Sequence, residues 1–153
     1  MRGRTRARQI ALKCCFQVDL VQADINETLE YFEQEENPSR AVLGFSRQLI
    51  QGVADHRDEI DSLIKKQLEN WDFTRLGNVE RTILRLAVFE LLYRPDVPSR
   101  VAINEAIELG KEFTTRQSVR FINGVLDGIS SALPPRSTGQ SSPSSSGTSE
   151  TGQ

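Results

Sequence analysis

The chain has 153 residues, with 19 lysines and arginines against 21 aspartates and glutamates and a formal net charge of −2. No apolar run approaches the ~20 residues that cross a membrane, and no apolar signal segment follows the arginine-rich start. We therefore expect a cytoplasmic protein without a membrane partner.

The small net charge conceals an uneven distribution. Residues 1–18 carry five positive charges and no acid, so the remaining residues carry a net −7. A basic arm on an acidic body favours an anionic partner, and nucleic acid first. Residues 137–153 contain no aliphatic, aromatic or cysteine residue, so nothing apolar offsets the entropy of ordering them. We expect a helical domain over residues 1–136 and a disordered Ser/Gly/Thr-rich tail over residues 137–153.

Apolar residues recur at helical spacing through the first half of the chain. After the first helix, Asp24 opens a capping box with Glu27 for a short acidic helix that ends near Glu36. Residues 37–39 (NPS) form a break followed by a cap, and Asp55 is interpreted as the N-cap of a fourth helix. The apolar faces of the first, third and fourth helices are Ala7, Ile10, Ala11, Cys14, Cys15, Val18 and Val21; Val42, Phe45, Leu49 and Val53; and Ile60, Leu63, Ile64 and Leu68.

The second half begins, after a turn region at residues 70–72, with the most apolar stretch of the chain. Val79 to Tyr93 is apolar on several sides, which predicts a central helix, and the prolines of residues 94–98 end it. A sixth helix follows, and a seventh runs from about Arg116 to Leu133. Because no strand or glycine-rich phosphate loop is recognisable, the sequence predicts an all-α fold of about seven helices. The inward positions of the last two helices are Ala102, Ile103, Ala106 and Ile107, and Phe121, Ile122, Val125, Leu126 and Ile129.

Catalytic and metal chemistry find little support in the side chains. The lone His56 is interpreted as a solvated surface residue rather than a general base. Cys14 and Cys15 are predicted to pack as small apolar residues, since helix neighbours point about 100° apart and cannot join in a disulfide. Two cysteines and one histidine cannot complete a structural zinc site. We therefore expect no catalytic site and no metal.

The basic arm is a candidate surface for nucleic acid. Arg4, Arg8, Leu12 and Phe16 follow each other at spacings of four, which puts them on one exposed stripe if the helix starts this early. Guanidinium groups bind phosphates, and an aromatic ring stacks on an unpaired base, so the stripe suits single-stranded RNA. The alternative is that Phe16 packs in the core and the arm is a solvated basic tail. This segment alone leaves both interpretations open.

A second basic group opens the last helix. Arg116 and Arg120 form an i, i+4 pair with Gln117 between them. The start of a helix also offers free N–H groups and a positive dipole end to a phosphate. We expect this group to support RNA binding only if the fold brings it beside the arm.

Several sequence blocks resemble the NusB family of transcription antitermination factors, over about residues 5–133. They are residues 79–87 (VERTILRLA) with Glu90 and Leu91, residues 96–98 (DVP), 101–109 (VAINEAIEL) and 121–127 (FINGVLD), together with Ala7 to Phe16 in the first helix. The resemblance implies seven helices in two packed small bundles. It also implies a protein that is not an enzyme and uses no cofactor.

The resemblance further implies the partners of the chain. Members bind boxA-type single-stranded RNA of ribosomal RNA leader transcripts, together with a small-subunit ribosomal protein. The complex acts within the RNA polymerase antitermination complex. A homodimer that covers the basic arm is an additional state that the resemblance leaves open.

The resemblance also implies site residues. Glu80 and Arg81 fall where the family meets the ribosomal protein. Phe16 stands where a tyrosine is familiar, which keeps stacking but loses a hydroxyl group, and Gln117 stands where some members carry an acid. Asn123-Gly124 indicates close helix packing, because glycine inside a helix otherwise costs ~1 kcal/mol. The residues that fall where the family meets RNA are Arg4, Arg6, Arg8, Lys13, Phe16, Arg116, Gln117 and Arg120.

Two other functions stay open at this stage. NusB-like domains also occur fused ahead of RNA cytosine methyltransferase domains, so the chain is alternatively an accessory domain of a methyltransferase system. The other alternative is a helical adaptor that binds proteins only, through its acidic body. Partner binding by such an adaptor should survive deletion of residues 1–8.

Overall fold

The computed structural model describes residues 2–68 and 76–135, without the side chain of Arg2. The predicted turn at residues 70–72 and the predicted tail at residues 137–153 lie outside this described part. Within it the chain forms seven helices and no strand, which confirms the predicted all-α fold. The helices are α1 (Arg2–Val21), α2 (Ile25–Glu36), α3 (Arg40–Asp55), α4 (Arg57–Leu68), α5 (Asn78–Tyr93), α6 (Ser99–Phe113) and α7 (Arg116–Ala132).

Short side chains cap the starts of three helices. Asp24 accepts a hydrogen bond from the backbone N–H three residues later, at 3.0 Å, and Ser39 does the same at 3.2 Å. Thr115 caps α7 in this way at 3.1 Å. These bonds satisfy N–H groups that have no partner inside the helix. The predicted N-caps at Asp24 and Ser39 are confirmed.

The predicted N-cap at Asp55 is wrong. Asp55 is the last residue of α3, and α4 begins at Arg57. The backbone N–H of His56 still donates to the carbonyl of Gly52 at 3.0 Å, so the hydrogen-bond pattern of α3 continues past Asp55. His56 itself is half-buried rather than fully solvated, and its ring stacks on that of Tyr93 with centroids 4.0 Å apart.

Helix α5 runs through the centre of the fold. Every residue from 82 to 91 is buried, and α5 packs against α1, α3, α4, α6 and α7. A helix that is buried around its whole circumference lies in the middle of a core. The other helices form two groups around α5: α1 packs against α2 and α3, and α7 packs against α4 and α6. The predicted central helix is confirmed, and none of the described helices is long and apolar enough to span a bilayer.

Two positions differ from their predicted environments. Val21, assigned to the core face of α1, is 59% exposed because α1 ends there and the chain turns through a left-handed residue, Gln22. Gly124 is exposed, and a Cβ built there would meet no atom within 4 Å, so the predicted close helix contact is wrong. A close contact lies instead at Gly52, where a Cβ would stand 2.2 Å from the ring of Phe89.

Cys14 and Cys15 are both free thiols of helix α1. Cys14 is fully buried and Cys15 is partly buried. Burial raises the pKa of Cys14 to about 11 and that of Cys15 to about 12, so both thiols stay protonated near neutral pH. Since the thiolate is the reactive form, these cysteines act as packing residues, as the sequence predicts.

Candidate nucleic-acid interface

Helix α1 packs against α2, α3, α5 and α6 and leaves one strip of its surface accessible. Ser46 of α3 donates to the carbonyl of Ala7 at 2.8 Å, and Thr5 donates to Glu105 of α6 at 2.9 Å. The side chains of this strip belong to residues that are alternately three and four positions apart. We call this set the open ridge, and it consists of Arg6, Gln9, Lys13, Phe16 and Leu20.

The predicted exposed stripe through Arg4, Arg8, Leu12 and Phe16 is wrong. Leu12 is 2% exposed and Arg8 is 3% exposed. A helix turns once every 3.6 residues, so a step of four residues advances about 40° around the axis. The four residues therefore spread over about 120° around α1, and the middle two, Arg8 and Leu12, face the core. Phe16 is half-buried and belongs to the open ridge instead.

Arg8 is a buried residue that joins three helices. Its Nε and Nη2 donate to the two carboxylate oxygens of Glu90 at 2.9 and 2.7 Å, and its Nη1 lies 3.4 Å from Glu105. The pair of hydrogen bonds to one carboxylate is the strong, charge-assisted form of this contact. An RNA phosphate cannot reach this guanidinium without opening the core. The prediction that Arg8 binds RNA from an exposed edge is therefore corrected: Arg8 stabilises the fold.

Arg4 lies on the side of α1 that faces the α5–α6 loop. Its guanidinium is 3.2 Å from Asp96 and lies 4.4 Å from the centroid of the Phe45 ring. Arg94 donates twice to the same carboxylate, at 2.9 Å each, and lies 4.9 Å from the same centroid. Arg4 is thus one third exposed but already paired, and it stands apart from the open ridge.

Arg6 and Lys13 lie on the open ridge and share one acidic partner. Lys13 Nζ is 2.6 Å from Oε2 of Glu36, and Arg6 Nη2 is 3.8 Å from Oε1 of the same residue. Arg6 also donates to the backbone carbonyl of Glu36. Both cations keep a large exposed fraction, 42% for Arg6 and 37% for Lys13. They remain accessible to a phosphate from solvent.

The fold brings the start of α7 to the side of the open ridge. Gln9 donates to Glu112 at 2.9 Å, one residue before the end of α6. Helix α7 begins at Arg116, and four residues of chain span at most about 14 Å. The second basic group, at the start of α7, therefore lies near the open ridge. This proximity is what RNA binding by both groups together requires.

Arg116, Gln117 and Arg120 are exposed at the start of α7. Within residues 2–68 and 76–135, these three side chains form no ion pair or hydrogen bond. The first backbone N–H groups of α7 and the positive end of its helix dipole both face outward from this end of the helix. This end of the helix is open to an anion, and its two arginines add charge that no nearby acid of the described chain neutralises.

Glu80 ties the start of α5 to the start of α7. Thr114 and Ser118 donate to its Oε2 at 2.5 and 2.9 Å. Burial by itself raises the pKa of Glu80. The hydrogen bonds from Thr114, from its own backbone N–H and from Ser118, together with the positive charge of Arg81, have the opposite effect and are stronger in sum. The pKa of Glu80 therefore lies below its usual value. Arg81 donates to the backbone carbonyl of Leu76, just before α5. Of the two predicted partner-binding residues, Glu80 therefore holds the start of α7 in place, and Arg81 stabilises the start of α5.

Sequence reasoning missed three residues of this region. The sequence predicts Glu36 only as the end of a short acidic helix, and its contacts with α1 arise from tertiary packing. Gln9 lies on the open ridge, and spacings of three and four could have found it. Glu90 lies within the stretch that the sequence predicts as the apolar central helix, where a buried carboxylate signals a buried cation as its partner.

Known proteins share this architecture. The NusB family model matches residues 5–131. The transcription antitermination protein NusB of Myxococcus xanthus is 43% identical over 137 residues, covering 87% of this chain and 98% of its own. NusB of T. maritima superposes with a TM-score of 0.80 at 37% identity, over 86% of this chain and 93% of that one. A chain in a crystal structure of the antitermination factors NusB and NusE with dsRNA superposes with a TM-score of 0.80 at 30% identity, over 87% of this chain and 99% of its own.

Proposed function

Because the chain belongs to the NusB family, we propose that it is a non-catalytic transcription antitermination factor. In this proposal it binds boxA-type single-stranded RNA of ribosomal RNA leader transcripts, together with a small-subunit ribosomal protein of the NusE type. One observation supports RNA binding most directly: the open ridge of α1 and the unpaired basic start of α7 form neighbouring exposed surfaces. A similar chain has been crystallised with NusE and dsRNA, which supports both kinds of partner.

Each exposed side chain has a role in the proposed interface. The half-exposed ring of Phe16 stacks on an unpaired base. Arg6 and Lys13 bind phosphates along the ridge, and Arg116 and Arg120 bind phosphates at the start of α7. Gln117 adds hydrogen bonds without the repulsion that an acid would bring. Arg4 contributes mainly to the local potential, because Asp96 already neutralises it.

The ribosomal protein docks, in this proposal, at the start of α5. Glu80 and Arg81 lie there, next to the residues of α7 that bind RNA. A partner at this place contacts the protein and the RNA together, which would raise the affinity of the assembly above that of either subunit. The assembled complex then joins the RNA polymerase antitermination complex in the cytoplasm. A homodimer formed through the open ridge would cover Phe16 and compete with RNA.

The test is RNA binding by fluorescence anisotropy, with and without a purified NusE-type ribosomal protein. Three labelled probes are compared: a boxA-like single strand, a scrambled strand and a duplex of the boxA-like sequence. We expect the boxA-like strand to bind most tightly, and more tightly with the ribosomal protein present. The logarithm of affinity should fall with the logarithm of salt concentration by about 0.7 per phosphate contact.

Equal binding of all three probes would contradict the proposal and leave only a generic basic surface. If the chain binds the ribosomal protein but binds none of the RNA probes, it is an adaptor that binds proteins only. The paired substitution Arg6→Gln with Lys13→Gln is a better probe of the arm than deletion of residues 1–8. That deletion removes Arg8 and so breaks a buried contact of the fold.

A further inference from the structure

The C-terminal end of α2 lies on the basic part of the open ridge. Glu36 is the last residue of α2, and it contacts Arg6 and Lys13 through its carboxylate. We propose that Glu36 sets the RNA affinity of this protein by occupying, on these two cations, the place of an RNA phosphate. This inference rests on the proposed RNA-binding function and adds a residue that limits it.

The geometry of the contact supports a phosphate-like role. One carboxylate oxygen lies 2.6 Å from Lys13 Nζ and the other lies 3.8 Å from Arg6 Nη2, so the group bridges both cations. A phosphate diester likewise offers two charged oxygens to neighbouring cations. Arg6 also donates to the carbonyl of Glu36, at the negative end of the α2 dipole. The left-handed backbone of Asn37 ends the helix there and fixes the position of this acidic end.

The contact is open enough to be exchanged for RNA. The side chain of Glu36 is 22% exposed, and those of Arg6 and Lys13 are more exposed still. Ion pairs in contact with solvent are weak, because water screens the charges and the side chains lose entropy on pairing. An arriving phosphate can therefore displace the carboxylate. The competition lowers RNA affinity without preventing binding.

The chain offers a matched control one position away. Glu35 belongs to the same helix end and carries the same charge, but it is exposed and forms no ion pair within the described residues. Glu35→Gln and Glu36→Gln thus change the net charge equally, at nearly the same distance from the ridge. A difference between them measures the direct contact rather than the general potential.

The experiment measures binding of the boxA-like strand to both variants, with the NusE-type protein present. Glu36→Gln should tighten binding about two- to fivefold, and Glu35→Gln should tighten it less than half as much on a logarithmic scale. Glu36→Asp keeps the charge but shortens the side chain, so its affinity should fall between those of the wild type and Glu36→Gln. Urea denaturation verifies that each variant is folded.

A protein variant that lacks the charges of both Arg6 and Lys13 tests whether Glu36 acts by competing with RNA phosphate for these two residues. In the Arg6→Gln, Lys13→Gln protein, Glu36→Gln should give no more gain than Glu35→Gln. An equal gain from both glutamate variants in the wild-type background would overturn the inference, as would a Glu36-specific gain that persists without the cations. If the wild-type protein binds RNA and Glu36→Gln gives no gain, only this inference fails. If no protein binds any RNA, the proposed function fails with it.

Discussion

Arg8 and Glu90 form a buried ion pair between α1 and α5, joined by two hydrogen bonds of 2.7 and 2.9 Å. Their side chains are 3% and 2% exposed. Burial of either charge alone is costly, and the two residues offset this cost only while both are present. Because the pair lies 82 residues apart in the chain, it fixes the first helix onto the central one.

The first prediction concerns the contribution of this ion pair to the free energy of unfolding. Arg8→Gln or Glu90→Gln should lower the free energy of unfolding by about 3–5 kcal/mol, because each breaks a buried, doubly hydrogen-bonded ion pair by removing one of its two charges. Urea denaturation followed by circular dichroism measures the loss. The double variant Arg8→Met, Glu90→Leu should lose much less. Arg6→Gln, on the same helix but exposed, is the control and should change stability by less than about 1 kcal/mol. Wild-type stability of Arg8→Gln would contradict the assignment.

The second prediction concerns base stacking by Phe16. Phe16→Ala should weaken binding of boxA-like RNA by about 1–3 kcal/mol, the usual contribution of one stacked base. Phe16→Tyr should retain that binding because it keeps the ring. The control is Leu20→Ala, which shortens another exposed side chain of the open ridge but removes no ring. Anisotropy gives the affinities. An equal loss in both alanine variants would show that the ring does not stack on RNA.

The third prediction compares three glycines inside helices. Gly44→Ala and Gly124→Ala should each stabilise the protein by up to about 1 kcal/mol, because alanine favours the helix and an added Cβ meets open space. Gly52→Ala should instead destabilise it by about 1–3 kcal/mol, since its Cβ would stand 2.2 Å from the ring of Phe89. Thermal unfolding measures all three. A stabilised Gly52→Ala variant would show that the ring moves aside freely.

The fourth prediction concerns acid stability through Asp96. Hydrogen bonds donated by Arg94, with a smaller contribution from Arg4, lower the pKa of Asp96 from 3.8 to about 2. A carboxyl whose pKa is lower in the folded protein than in the unfolded chain adds stability above the unfolded value. That contribution should disappear as the pH falls from about 4 to about 2. It is small, because the side chain is 47% exposed and solvent screens its charge.

The measurement for Asp96 is the urea midpoint at pH 5 and at pH 2.5. Other carboxylates also titrate in this range, so the informative quantity is the difference between the wild type and Asp96→Asn. The wild type should lose more stability on acidification than the variant. An equal loss in both proteins would mean that the arginines do not hold Asp96 ionised.

Local sequence signals predicted most of the helices. Hydrophobic spacing, Asp24 and Ser39 as caps, and the prolines after Tyr93 gave the element order, because these signals act over a few residues. Asp55 misled the prediction of a helix start, since an aspartate at the end of one helix resembles a cap of the next. Gly124 misled the prediction of helix packing, because an exposed glycine and a tightly packed one have the same sequence signature.

The sequence by itself determined a basic first helix, an acidic helical body and the NusB family. Tertiary structure decided which arginines of that first helix are accessible. Arg6 and Arg8 are the same residue type two positions apart, yet one pairs with Glu36 in solvent and the other with Glu90 in the core. Helical periodicity fixes the angle between two side chains but not the direction that faces the neighbouring helices. That direction depends on partners 30 and 82 residues away, which only the packed fold brings into contact.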